Sequence, residues 1–455
     1  MTGIKSVFIS SDPPVPPTGG GTRAFHFLTA VTSVTKCSLF VLFPIAIDKL
    51  PAEVLSKCSS AYSTKKEFAV LHGRVSLMLH YARLLFAPWS MRRKDVILAA
   101  GYFATNSEKC RGVKAIFYSV LTHALYAYVS LLYRLISPPP ARTLERYDQY
   151  VELKSQINEE LSDAEVVWLD FSFLFPFFKN LKTLLPQLKI ICNAHNIEYL
   201  YLERMQEVAR TNIERKWYRL QARVMKIAEL EGFAQCNLVI TCSENDRHEI
   251  LKNLPGCNVA VLPNGVDLGY FKPAPNLTTE PSILFTGTMS YDPNKDAVEY
   301  FLDKIFPGIK KEVPTCKFII AGANAVNVFR HYLNDPGIEI SSSPKDMRPF
   351  YNKAWVVVVP LRLGSGTRLK ILEAMAMEKP VVSTEIGAEG IQAVDEHELL
   401  LASDEKTFIK NVIRLLSDGQ LSARIKGEAK KLVVENYSWE QIIKNASTAV
   451  HNVCH

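Results

Sequence analysis

Short apolar runs separated by longer amphipathic stretches recur along the whole chain, and the series starts afresh just after Leu262. Runs at 4–10, 39–43, 165–170, 189–193, 238–242 and 259–262 read as strands, and one helix is predicted to run unbroken over 199–233. After the turn sequence Pro263-Asn264-Gly265-Val266-Asp267, a second series follows at 282–285, 317–321, 338–340, 356–359 and 381–383, with a closing helix over 438–453. Strands alternating with helices give parallel sheets covered on both faces. The 455 residues are too many for one core. The expectation is α/β: two doubly wound parallel-sheet domains, 1–264 and 265–437, hinged near Asn264 and facing a cleft, with 438–455 packing back on the first.

Residues 77–140 depart from this pattern. They carry a basic-aromatic patch (Trp89, Arg92, Arg93, Lys94), an apolar stretch at 115–133, and Pro138, Pro139 and Pro140. The apolar stretch is long enough to span a bilayer. A span would put strands of one domain on opposite sides of the membrane, so a buried or interface-lying helix is expected instead.

Net charge is +7 without a dense Lys/Arg block, which suits anionic small molecules or an anionic membrane surface and not nucleic acid. The nine cysteines include no C-x-x-C pair, which argues for a reducing compartment and against a disulfide frame or a zinc site. The start, MTGIKSVFISSD, enters a strand directly, with no signal-peptide pattern. A cytoplasmic location, at the inner face of the membrane if the patch binds there, is the expectation.

The segment with the most chemistry is 360–390, PLRLGSGTRLKILEAMAMEKPVVSTEIGAEG. A buried strand ends in Gly364-Ser365-Gly366, and a helix is predicted from Thr367. Loop amides and the positive helix end make an anion site suited to a diphosphate. Arg368 and Lys370 stand in the first turn, where cations are unfavourable unless an anion joins them. Glu373 lies among apolar residues and needs a partner or a solvent opening. Ribose hydroxyls would serve; a half-exposed helix glutamate is the plainer alternative.

Two further places stand out. Gly19, Gly20 and Gly21 follow the first strand in PPVPPTGGGTR, permit close backbone approach, and precede Arg23, an anion-contact candidate. The spacing is not G-x-G-x-x-G, so a nicotinamide-dinucleotide fold is poorly supported. His195 closes the run KIICNAHN, and strand ends in open α/β sheets point into the ligand crevice.

GSGTRLKILEAMA followed by KPVVST, with LPNGVD, ILFTGTMSYDPNKDAV and FIIAGAN, resembles the family 4 glycosyltransferases (glycosyl transferases group 1), especially bacterial surface-polysaccharide sugar transferases. The resemblance covers most of the chain and is poor at 77–140. It implies the GT-B fold of two Rossmann-like domains and a retaining transfer from a nucleoside-diphosphate sugar to a hydroxyl acceptor. Glu373 matches the second glutamate of the E-x7-E motif, which holds the nucleotide ribose. The first falls at Ser365, a departure that leaves Ser365 and the loop amides of Gly364, Gly366 and Thr367 at the donor sugar. Many relatives carry Arg after the glycine matching Gly287 and a Lys further on; here Thr288 follows, Lys295 is a candidate phosphate ligand, and Arg368 and Lys370 are the alternative source of charge. The family's histidine at this strand end contacts the donor sugar, which gives His195 that role. No D-x-D pair occurs, so neither a metal nor another cofactor is expected. The expected partners are the donor and a lipid-linked or polysaccharide acceptor, with peripheral contact to anionic membrane. A sugar-nucleotide epimerase on the same architecture and a degenerate donor-binding protein remain as alternatives.

Overall fold

The computed structural model describes residues 3–14, 19–44, 50–64, 127, 129, 140–274, 280–362 and 368–455. Contacts divide the chain into two units. Met1–Thr241, Asp246–Val261 and Ala446–His455 form the first; Cys242–Asn245 and Leu262–Asn445 form the second. The patch at 89–94 and all but two residues of the apolar stretch 115–133 lie outside the described residues. Among the described residues no helix is long and apolar enough to cross a membrane.

The first unit is built on a seven-stranded parallel sheet of order β3-β2-β1-β4-β5-β6-β7. Its strands are β1 (Lys5–Ser10), β2 (Lys36–Pro44), β3 (Ser60–Thr64), β4 (Val166–Asp170), β5 (Lys189–Asn193), β6 (Leu238–Thr241) and β7 (Val259–Val261). Every residue of β4 is buried, as expected for a central strand with both faces covered. The edge strand β3 carries no apolar run and went unpredicted. Tyr62 stacks on Phe40 of β2 at 4.6 Å, and Ser60 and Tyr62 hydrogen-bond Glu160, which fastens β3 through side chains.

Two predicted elements are corrected here. The helix expected over 199–233 is two, Glu198–Glu207 and Asn212–Phe233. Thr211 Oγ1 accepts the N–H of Glu214, and Glu214 Oε2 accepts the N–H of Arg210, a reciprocal cap that starts a new helix inside a continuous apolar pattern. The glycine-rich segment is not a loop preceding a helix at residue 22. The helix is Gly19–Val34, and neither Gly20 nor Gly21 takes a positive φ. The apolar residues from Ala24 onward drive this helix onto the sheet, and the glycines simply extend it by a turn.

The second unit holds a six-stranded sheet of order β10-β9-β8-β11-β12-β13. The strands are β8 (Ser282–Thr286), β9 (Lys317–Gly322), β10 (Ile338–Ser342), β11 (Val356–Val359), β12 (Val381–Ser383) and β13 (Leu400–Leu401), and every pairing is parallel. The helix Trp439–Cys454 closes the chain. Its first turn stays with the second unit, where a Cβ on Gly265 would meet Trp439 and Ile442 at 2.8 Å. Its residues from Ala446 onward belong to the first unit. There Ser447 Oγ lies 3.0 Å from Ser33 Oγ, and Lys189 Nζ donates to the Cys454 carbonyl at 2.6 Å.

Each sheet has one place where chain order reverses, between β1 and β4 in the first and between β8 and β11 in the second. Ligands of open α/β sheets bind beyond the carboxyl ends of the strands at such a point.

Candidate functional site

In the second unit the reversal point is furnished from four elements. β8 ends at Thr286 and leads into Gly287, whose φ of 149° is a conformation that side-chain-bearing residues avoid. The helix Asp292–Tyr300 contributes Asn294, and the helix Leu369–Ala376 contributes Lys370 and Glu373. The helix Arg348–Lys353 contributes Tyr351. Lys370 Nζ donates to Asn294 Oδ1 at 2.8 Å and stands 4.0 Å from the centre of the Phe285 ring. Asn294 Nδ2 in turn donates to the Thr288 carbonyl at 3.0 Å, which fixes the loop after β8.

Burial, with Arg368 nearby, pushes the Lys370 ammonium down to about 7. Burial also raises the Glu373 carboxyl above its ordinary range, partly offset by the Tyr351 hydroxyl and the Lys370 charge. One ammonium and one carboxylate, three residues apart on one helix, therefore stand at the sheet's reversal point, the first with its ordinary value lowered and the second with its ordinary value raised by burial. An anion entering beside Lys370 would favour its charged form.

Lys295, the other lysine considered, pairs with Glu299 at 3.7 Å along its own helix surface. Its neighbour Asn294 is the residue turned towards Lys370, and sequence reading missed it. Arg368 precedes the helix as its N-cap residue. Gly364, Ser365, Gly366 and Thr367 lie outside the described residues.

The first unit's reversal point is a buried polar network. Asp170, the last residue of β4, receives hydrogen bonds from Ser10 (3.0 Å), Asn193 Nδ2 (2.7 Å) and His195 Nε2 (3.0 Å). Asp170 can only accept when ionised, so Nε2 carries the imidazole proton in this pairing. The His195 ring stacks on Phe171 with centroids 3.9 Å apart. Phe171 is held at φ 113°, a strained conformation for a bulky residue and of the kind that collects at functional sites. Arg23 is buried; Nε and Nη2 donate to Asn193 Oδ1 at 3.1 and 2.8 Å, and its guanidinium lies over Phe27. That geometry makes Arg23 a brace of the network, where the sequence suggested an anion contact.

Behind His195, Glu229 reaches from the helix Asn212–Phe233 to the start of the helix Glu198–Glu207. Its carboxyl accepts the N–H groups of Glu198 (3.0 Å) and Tyr199 (2.9 Å) and the Ser172 hydroxyl (2.5 Å). Burial, then the neighbouring Glu198 carboxyl, raises it to about 8. Glu198 itself is buried and paired with Arg142 at 2.7 Å. Glu229→Ala strands two buried backbone donors, each worth about 1–3 kcal/mol. Chemical denaturation should show the first unit weakened by about 2–6 kcal/mol; an unchanged midpoint would mean that these donors find water. In the wild type, the raised folded value means that the native state binds more protons than the unfolded chain between about pH 4.5 and 8. This group's contribution is present at low pH and is lost as pH rises through 8.

A two-unit α/β chain with a charged cluster at each reversal point defines a GT-B-type protein, and solved structures share this fold. Sucrose-phosphate synthase from Thermosynechococcus elongatus superposes with a TM-score of 0.64 at 13% identity, covering 99% of both chains. Anabaena HepE, solved with UDP and glucose, gives 0.61 at 10% identity, covering 98% of this chain and 99% of that one. Residues 280–418 match the family model of glycosyl transferases group 1, and residues 111–270 match that of glycosyltransferase family 4. The chain belongs to this glycosyltransferase family. Among curated relatives, a 44.6 kDa protein of the Klebsiella pneumoniae cps region is 30% identical over 173 residues, covering 36% of this chain and 44% of that protein. The lipopolysaccharide 1,2-N-acetylglucosaminetransferase of Salmonella typhimurium is 24% identical over 227 residues, covering 44% and 58%. The matches thus span about half the length of these relatives.

Proposed function

We propose that the chain is a retaining glycosyltransferase that moves a sugar from a nucleoside diphosphate to an acceptor hydroxyl in surface-polysaccharide or glycolipid synthesis, without a metal. The placement of Lys370 beside Gly287, with Glu373 one turn further along the same helix, carries this reading. In the reaction the bond from the anomeric carbon to the diphosphate breaks, the acceptor oxygen bonds to that carbon, and the acceptor's proton passes to the leaving phosphate. Negative charge grows on the diphosphate as its bond lengthens. An ammonium already fixed in place stabilises that charge without the reorganisation that solvent would need. Lys370 supplies it, with Arg368 and the loop amides at 364–366 as the further donors to the diphosphate, and Glu373 takes the ribose hydroxyls. His195, its ring fixed by Asp170 and Phe171, positions the sugar. The cps-region and lipopolysaccharide relatives support the acceptor class.

A thermal-shift screen with UDP-, GDP- and ADP-sugars tests the reading, because a ligand that binds only the folded chain stabilises it. One base should raise the melting temperature, and Glu373→Ala should abolish the rise. A wild-type chain that responds to none of the three ends the proposal. Conversion of the donor alone into an epimer, or binding without turnover on any acceptor, would favour the epimerase or the degenerate binder.

A further inference from the structure

Tyr351 is fully buried, yet its hydroxyl is built into the site. Oη lies 2.7 Å from Glu373 Oε2 and 3.1 Å from Thr286 Oγ1. A phenol has one proton, and an ionised carboxylate can only accept. The Tyr351 proton therefore goes to Glu373, and Thr286 donates to Tyr351. The result is a directed chain from the end of β8 through Tyr351 to the carboxylate. Among the described residues, Tyr351 is the hydrogen-bond donor to Glu373. The Phe271 ring packs edge-on against the Tyr351 ring, which limits its swing.

We propose that Tyr351 is a positioning residue that aims Glu373 at the nucleoside ribose and so makes the donor site select ribonucleotides over deoxyribonucleotides. This rests on the donor-site reading given above. One carboxylate oxygen is engaged by a neutral donor that cannot compete for charge. The other is left to accept from a ribose hydroxyl in a fixed direction. The chain has serine at 365, so Glu373 is the one glutamate left of its motif, and the ribose contact depends on how that carboxylate is aimed. A carboxylate free to rotate would accept from water as readily as from sugar, and discrimination would fall.

The test compares binding of UDP, 2′-deoxy-UDP and 3′-deoxy-UDP by calorimetry (or the guanine or adenine set, if the screen selects that base). Wild type should favour the ribonucleotide over at least one deoxy analogue. Tyr351→Phe, which keeps the ring and removes only the oxygen, should weaken ribonucleotide binding roughly ten-fold, the change expected for one hydrogen bond to a charged group. It should leave deoxynucleotide binding nearly unchanged, so the ratio collapses. Thr286→Val should reduce the ratio by a smaller factor. A merely structural tyrosine would weaken all three ligands alike, and a preserved ratio in Tyr351→Phe overturns the inference while leaving the donor site standing. Absence of any nucleoside-diphosphate binding by wild type overturns both. If Tyr351→Phe melts early, Thr286→Val decides alone: an unchanged ratio there sinks the proposal.

Discussion

Lys370→Met is expected to lower kcat/KM for the nucleotide sugar by about 10²–10³-fold, the range seen when one preorganised donor to a developing anion is removed. It should do so without destabilising the fold. The Lys370 ammonium is held near 7 chiefly by burial. An unfolded chain would hold that proton up to about pH 10. Between about pH 7 and 10 the unfolded state therefore binds more protons, and the lysine opposes folding increasingly as pH falls across that window, reaching a constant penalty below 7. Methionine keeps the length and removes the charge, so the variant should melt at or above the wild-type temperature at neutral pH. Loss of activity with gain of stability is the expected signature of a site whose charge serves a ligand. The same displacement predicts a pH effect in the wild type. Only the protonated amine attracts a diphosphate, so donor affinity should fall by up to about ten-fold per unit as pH rises above 7. Binding near pH 7.5 should take up a proton, which calorimetry in two buffers of different ionisation enthalpy would register. A variant that retains full kcat/KM would remove Lys370 from the mechanism.

Gly322→Ala should cost the second unit roughly 2–6 kcal/mol, the combined range for backbone strain and overpacking. Gly322 ends β9 at φ 145°, and a Cβ there would lie 1.9 Å from the carbonyl oxygen of Gly287. That neighbour is backbone and cannot rotate away. Gly287 is itself hydrogen-bonded from its N–H to the Ala321 carbonyl at 3.1 Å, and a Cβ there would meet the Asn294 and Lys370 side chains at 2.7 and 3.1 Å. Gly322 at the end of β9 and Gly287 just past the end of β8 thus meet backbone to backbone beside Lys370. Alanine at 322 should lower both the denaturation midpoint and the activity, because relief of the clash moves Gly287. Gly419→Ala, where an added carbon meets nothing, is the control and should change stability by no more than about 0.5 kcal/mol. Equal midpoints for the two variants would show that the strand ends can separate freely.

The contrast between these glycines and the sequence reading shows where local pattern stops being informative. The runs at 189–193, 356–359 and 381–383 are strands over those same residues, because apolar side chains on both faces leave a central strand no other placement. Leu400–Leu401 is too short to register as a run, and Ser60–Thr64 is held by side-chain hydroxyls that resemble a loop in sequence. Lys370 and Glu373 were legible because both sit in one helix. Asn294 and Tyr351 were not, since nothing near either residue indicates that it will reach the helix containing Lys370, more than 15 residues downstream. Asp170 was likewise read only as the end of a strand. Its partners Ser10, Asn193 and His195 meet it through sheet order, which pairs β4 with β1 and β5.

The split allegiance of the helix Trp439–Cys454 bears on biosynthesis. The first unit draws on Ala446–His455, including the buried Val450 and the Cys454 carbonyl that receives Lys189, although its other strands and helices all precede residue 262. During translation that unit stays unfinished while nearly two hundred further residues emerge, whereas the second has all its strands by residue 401. The usual amino-to-carboxyl order of maturation is thereby reversed for the final step. A stop codon a few turns early would leave the lobe that was made first as the one with a missing piece.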